Sequence, residues 1–185
     1  MNCSGKHAAM LLTCRANDWP AKGYLMPDHP LQQGLRHTVE DLADEPVTAV
    51  GVDGCGAPLF AFSLLGVARA YRRIATAADG PERAVADAMR AQPHLVAGTG
   101  RLATRLMTAV PGLIAKDGAE GVFAAALPDG PSVAVKIDDG APRAAERAVV
   151  AALRAVGVDQ PELTTAPVLG GGEPVGAIRF RSGLL

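Results

Sequence analysis

The chain has 185 residues, 49% hydrophobic and 20% charged, and its 18 basic against 19 acidic residues leave a formal net charge of −1. That length suits one domain with a sizeable buried core, and the composition excludes wholesale disorder. The near-neutral charge and the 4% aromatic content argue against a nucleic-acid surface or an anionic-membrane surface. Three cysteines make no disulfide framework, so reduced thiols or metal ligands in a reducing compartment are expected. With no bilayer-length apolar run and no signal-peptide core, the expected location is cytoplasmic.

In chain order, Ser4 is placed to cap a helix from about Gly5 to Asn17, with Ala8, Leu11 and Leu12 on one side. Asp28 is the expected N-cap of a second helix, with Pro30 just inside it and Leu31, Leu35 and Val39 leading to Leu42. The run Val47 to Val52 reads as a buried strand stopped by the turn Asp53-Gly54-Cys55-Gly56-Ala57-Pro58. Leu64, Val67, Tyr71 and Ile74 fall at helical spacing within Ser63 to Ala77. Two further helices are expected near Pro81 to Ala91 and Gly100 to Ala109, with a turn-rich segment between them.

The period then changes. Leu113 to Lys116, Gly121 to Leu127 and Ser132 to Ile137 are strand-like, and Ala141 to Val156 is helical with Ala145, Val149, Leu153 and Val156 in one stripe. Val175 to Arg181 is the last candidate strand. The fold class this implies is mixed α+β, with helices packed on a small, largely antiparallel sheet. No repeat and no linker divides residues 1–185, so a single domain is expected.

Cys3 and Lys6 stand three residues apart on the first turn of the first helix, where they share a face. A thiolate is a good zinc ligand, and a helix N-terminus lowers a thiol pKa. A neutral amine can also coordinate. Cys55, in the tight turn after a strand, is the third candidate ligand, with Asp53 beside it as ligand or support. The bland alternative is two buried thiols and a solvated lysine. Cys14, inside the helical stripe, reads as core.

Lys116-Asp117-Gly118 ends one strand, in the manner of the Lys-[Ser/Thr]-Gly element of β-lactamase-like serine hydrolases. There the amine polarises substrate and the glycine admits it to the backbone. A solvated turn lysine is the commoner role of such a residue. Ser4, Ser63, Ser132 and Ser182 lack a Ser-x-x-Lys or Gly-x-Ser-x-Gly context. His29 and His37 read as solvated helix residues. Arg101, at a helix start after Gly98-Thr99-Gly100, is placed to bind a carboxylate, although a surface arginine is the plainer reading.

Taken together, six collinear segments resemble the bacterial L-asparaginase II family, the serine-hydrolase-like group. They are Cys3-Ser4-Gly5-Lys6-His7, Pro27-Asp28-His29-Pro30, Asp53-Gly54-Cys55-Gly56-Ala57-Pro58, Gly98-Thr99-Gly100-Arg101, Lys116-Asp117-Gly118-Ala119-Glu120-Gly121, and Lys136-Ile137-Asp138-Asp139-Gly140 with Arg143-Ala144. The resemblance implies a fold related to class A β-lactamases and glutaminases, and hydrolysis of L-asparagine to aspartate and ammonia. It implies zinc held at Cys3, Lys6 and Cys55. It also implies that Lys116 acts in catalysis and that Asp53 and Gly118 bind substrate. The small-molecule partner is then L-asparagine, with no nucleic acid and no membrane, and homodimerisation is left open.

In that family a longer N-terminal region carrying a Ser-x-x-Lys nucleophile precedes the Cys-Ser-Gly-Lys-His segment. The expectation is therefore that these residues form the C-terminal portion of such an enzyme. The alternative is a catalytically inactive member that keeps the zinc cluster and binds a small polar ligand or a partner chain.

Overall fold

A computed structural model describes residues 3–163, 165–179 and 181. It shows a mixed α+β chain of seven helices and three small antiparallel sheets among the described residues. The chain divides into two compact units, Met1–Gly66 and Val67–Leu185, and the division falls inside α3.

The first unit holds α1 (Ser4–Ala16), α2 (Pro30–Ala43), the hairpin β1 (Ala49–Val52) with β2 (Pro58–Ala61), and the start of α3 (Leu64–Thr76). Its core is small: Met10, Cys14, Leu31 and Ala57, with Trp19, Tyr24, Leu25, Leu35 and Cys55 packed against them. Cys14 is fully buried, as expected of a core thiol, but it faces inward with Met10, whereas Ala8, Leu11 and Leu12, the expected apolar side of α1, are exposed.

Several expectations are corrected here. Cys3, not Ser4, occupies the N-cap of α1, and no side chain caps that end. His29, not Asp28, caps α2: its backbone is extended and its Nδ1 accepts the Leu31 N–H at 3.1 Å. Its Nε2 lies 2.8 Å from the Pro20 carbonyl oxygen, which fixes the proton on Nε2. His29 is therefore a buried structural residue rather than a solvated one. The run expected as a buried strand is exposed along all of β1, because the hairpin packs by its turn, through Ala57 and Cys55, and not by a strand face. Its partner β2 starts at Pro58, which the turn signal concealed. Ser63, weighed above as a nucleophile, instead accepts the Gly66 N–H at 3.0 Å and donates to Glu45 Oε2 at 2.8 Å, as a cap at the start of α3.

The second unit is built on β3 (Ile114–Asp117), β4 (Val122–Ala126) and β5 (Ser132–Lys136), in the order β3-β4-β5. Alternation sorts the side chains to two faces. Ala115, Phe123, Ala125 and Val133 meet α6 (Leu102–Ala109) and α7 (Pro142–Ala155) through Leu102, Leu106, Val149 and Leu153. Ile114 and Ala126 face the other way, against Ala75 of α3 and Ala86 of α4 (Gly80–Ala91). The sheet is thus the middle of three layers.

α5 (Pro93–Ala97) occupies part of the segment expected to be turns, and its five residues are too few to display a helical period. β6 (Thr165–Gly170) pairs with β7 (Glu173–Arg179) in a largely exposed hairpin. The expected final strand begins two residues early, and Phe180 and Ser182 lie outside the described residues. Leu64 and Val156, assigned to apolar stripes, are exposed at the ends of their helices. Among the described residues no helix is long and apolar enough to cross a membrane.

Candidate functional site

In the first unit, the β1–β2 turn brings Asp53 and Cys55 to the N-terminal end of α1. The turn is closed by Asp53 N–H donating to the Ala57 carbonyl at 2.8 Å and Gly56 N–H donating to the Asp53 carbonyl at 2.8 Å. Asp53 also takes the Gly54 N–H on Oδ1 at 2.8 Å, which aims Oδ2 outward. Onto Oδ2 converge Lys6 Nζ at 3.0 Å and Cys55 Sγ at 3.3 Å. Cys3, Lys6, Asp53 and Cys55 are therefore one cluster, although 47 residues of chain separate Lys6 from Asp53.

The charges in this cluster lock one another. The Lys6 ammonium, then the Cys55 thiol and the Gly54 N–H, hold the Asp53 carboxyl below its ordinary range. Burial works against the Lys6 charge, and its bonds to Asp53 and Cys55 outweigh that, so the amine sits above its ordinary value. The Cys3 thiol is pushed up, first by its hydrogen bond with Cys55 and then by burial, against the pull of Lys6. This reverses the lowering expected from the helix N-terminus, because the neighbouring thiol and carboxylate dominate the local field.

The ligand atoms of Cys3, Asp53 and Cys55 all lie within 4.8 Å of one another. Two sulfurs on a tetrahedral zinc with Zn–S bonds of about 2.3 Å stand roughly 3.8 Å apart. Two thiols and a carboxylate at this spacing fit zinc after a small contraction. Lys6, as a charged ammonium bonded to Asp53, fits as the partner that orients the carboxylate. It becomes a ligand only on losing its proton.

In the second unit, Lys116 and Asp117 end β3, and Gly118 N–H closes the turn on the Val122 carbonyl at 2.8 Å. Asp117 stands directly opposite Phe123, so both project toward the α6 and α7 face. There the Asp117 Oδ2 receives Arg101 Nη2 at 2.7 Å. Lys116 alternates to the other face, and its stem folds over the strand end so that Nζ donates to Asp117 Oδ1 at 3.1 Å and to the Asp117 carbonyl at 2.6 Å. Arg101, Asp117, Gly118, Phe123 and Glu146 line a pocket of about 50 Å³. Burial pushes the nearby Tyr71 phenol up to about 12, with Asp117 adding to it, so this hydroxyl keeps its proton at neutral pH.

The turn that follows requires glycine. Gly121 has φ of +69°, and a Cβ there would come within 2.9 Å of Ile137 Cβ and 3.1 Å of the Gly140 carbonyl carbon. The backbone of Gly121 lies this close because its carbonyl accepts the Ile137 N–H at 3.1 Å, which ties the Lys116 motif to the Lys136 motif.

Arg101 is the residue that spacing undervalued: it binds a carboxylate of its own chain rather than facing solvent alone. The Gly98-Thr99-Gly100 turn before a helix start was its sequence signal. The side of β3 on which Asp117 emerges is visible only in the sheet.

The model of the L-asparaginase II family matches residues 1–180. The chain belongs to the L-asparaginase II family. A search of the curated proteins found no significant match.

Burial works against the Asp117 charge, and Arg101 followed by Lys116 outweighs it, so its carboxyl lies below the ordinary range. The stability this gives is complete above the unfolded value of about 3.9 and is lost as pH falls through the lower folded value. Asp117→Asn is expected to cost on the order of 1 kcal/mol at neutral pH, since Arg101 is partly solvated and screened. Urea unfolding of both proteins should show the gap closing in acid. A gap that persists there would assign the loss to something other than the ion pairs.

Proposed function

We propose that this member of the L-asparaginase II family is an amidohydrolase that releases ammonia from L-asparagine. The observation that carries the reading is the Lys116-Asp117-Gly118 corner: an amine bonded to the Asp117 carboxylate, with Asp117 and Gly118 lining a small pocket. Lys116 binds and polarises the substrate, and Gly118 lets it approach the backbone. In the first unit, Cys3 and Cys55, with Asp53 or a deprotonated Lys6, hold zinc. Zinc, when bound, supplies Lewis-acid affinity for the amide or the carboxylate. In hydrolysis the C–N bond of the side-chain amide breaks, water adds to the carbonyl carbon, and the proton balance leaves aspartate and ammonia. The acyl-enzyme route implied by the family needs a serine activated by a base.

Ser63 is committed to a helix cap, which favours a second reading, binding of L-asparagine without turnover. Ammonia release from L-asparagine and from L-glutamine by zinc-supplemented protein, alongside calorimetric binding of L-asparagine, separates the two. Ammonia from asparagine that disappears in Lys116→Ala supports the amidohydrolase. Binding with no ammonia supports the second reading, and neither binding nor ammonia overturns both.

A further inference from the structure

The backbone of Arg101 is built into a fixed position. The residue occupies the N-cap position of α6 without a side-chain capping bond, and the helix is anchored by Leu102, Ala103 and Leu106, all of them buried. Thr104 Oγ1 donates to the Gly98 carbonyl at 2.6 Å and binds the preceding loop to the helix. Gly98, at φ of +107°, runs beside the arginine stem, and a Cβ there would lie 3.5 Å from Arg101 Cγ. The backbone is thus held, while the side chain is 56% exposed and takes its direction from the 2.7 Å ion pair with Asp117.

Its target is one oxygen of a shared carboxylate. Arg101 takes Asp117 Oδ2 and leaves Oδ1 to Lys116. The two cations thereby fix the plane of the carboxylate, and the carboxylate fixes the amine. Glu146, the other acid lining the pocket, is engaged by Arg147 Nη2 at 3.0 Å. We propose that Arg101 is a positioning residue for Lys116, acting through the Asp117 carboxylate. The inference rests on the reading of Lys116 as the amine that faces substrate. Without Arg101, Asp117 turns both oxygens to the ammonium or rotates away, and the amine loses its fixed direction.

The test is a double-mutant cycle with Arg101→Gln, Asp117→Asn and the pair of them, plus Arg101→Lys as the conservative variant. The side-chain ammonium resonance of Lys116, read by heteronuclear NMR on isotope-labelled full chain, reports the geometry whether or not the protein turns over substrate. Arg101→Gln is expected to shift or broaden that resonance while leaving that of Lys136 unchanged. Arg101→Lys restores part of it, and adding Arg101→Gln to Asp117→Asn changes nothing more. With turnover of L-asparagine, the same cycle lowers kcat by roughly ten- to a hundredfold with KM little changed, since misdirection of a catalytic group is lost rate.

A Lys116 resonance identical in wild type and Arg101→Gln, or effects of the two substitutions that add, overturns the inference. A wild-type protein that releases no ammonia overturns the amidohydrolase reading alone, and the NMR cycle still decides the role of Arg101.

Discussion

Cys55→Ala is expected to abolish stoichiometric zinc binding while the chain stays folded. Cys55 is one of two thiols in the Cys3–Asp53–Cys55 cluster, and its Sγ lies 3.3 Å from the Asp53 carboxylate. Without it a metal ion keeps one thiolate and one carboxylate, too few for a closed tetrahedral site. The fold should survive, because Cys55 is half-buried at the edge of a small core while Ala57 carries the packing of the turn.

The contrasting variant is Cys14→Ala. Cys14 is fully buried among Met10 and Leu31, so its truncation leaves a cavity and costs on the order of 1 kcal/mol, yet it should leave zinc untouched. Elemental analysis of protein purified with zinc, paired with circular dichroism, reads both. About one zinc per chain in wild type and Cys14→Ala, with a small fraction of that in Cys55→Ala, is the expected pattern. Zinc content unchanged in Cys55→Ala would remove these residues as the metal site.

The contrast between these two thiols also shows where sequence reasoning works. Cys14 was legible as core because a lone thiol inside a helix has no partner ligand at metal spacing, but the period placed Ala8, Leu11 and Leu12 inward, and the helix turns Met10 and Cys14 inward instead. Cys3, Lys6, Asp53 and Cys55 were legible as a group because thiols, amine and carboxylate occur together in short motifs around glycine turns. Their mutual geometry was not. Nothing in the spacing says that Lys6 spends its charge on Asp53, or that Cys55 raises rather than lowers the Cys3 thiol. Those are outcomes of a hairpin docking by its turn, and the apolar run of β1 had pointed to the opposite packing, strand face inward.

In the second unit the sheet β3-β4-β5 was readable from short strand-like runs between turn signals. The helices on its two faces followed from their stripes. The hairpin β6–β7 was half missed, because Pro167 and the Gly170-Gly171-Gly172 turn hide a strand whose sides are mostly solvated. Arg101 was undervalued for a related reason. Whether it meets a carboxylate depends on which face of β3 Asp117 takes, and that is set by pairing with Phe123. Side-chain chemistry is written in the sequence, but the face it lands on is written in the register.

Phe123→Ala should be the most destabilising single substitution in the second unit. The ring is 1% exposed and lies in the cluster with Leu102, Leu106, Val149 and Leu153 between the sheet and α6 and α7. Truncating such a ring typically costs about 3–5 kcal/mol, the lost transfer energy plus a cavity that rigid neighbours do not fill. Against a whole-domain stability of roughly 5–15 kcal/mol that is a large share. The loss reaches the candidate site, because Phe123 stands opposite Asp117 and lines the same pocket as Arg101. Loosening β3 against β4 frees the Asp117 carboxylate from its fixed plane, so Asp117→Asn should cost less in the Phe123→Ala background than alone. Leu59→Ala, on an exposed hairpin position of the first unit, should stay within about 0.5 kcal/mol. Urea midpoints for the three variants and the Phe123/Asp117 double mutant read all of this. A Phe123→Ala loss below about 1 kcal/mol would mean that this core closes over the gap. Full additivity with Asp117→Asn would show that the carboxylate is held by its two cations alone, with no support from the ring across the strand.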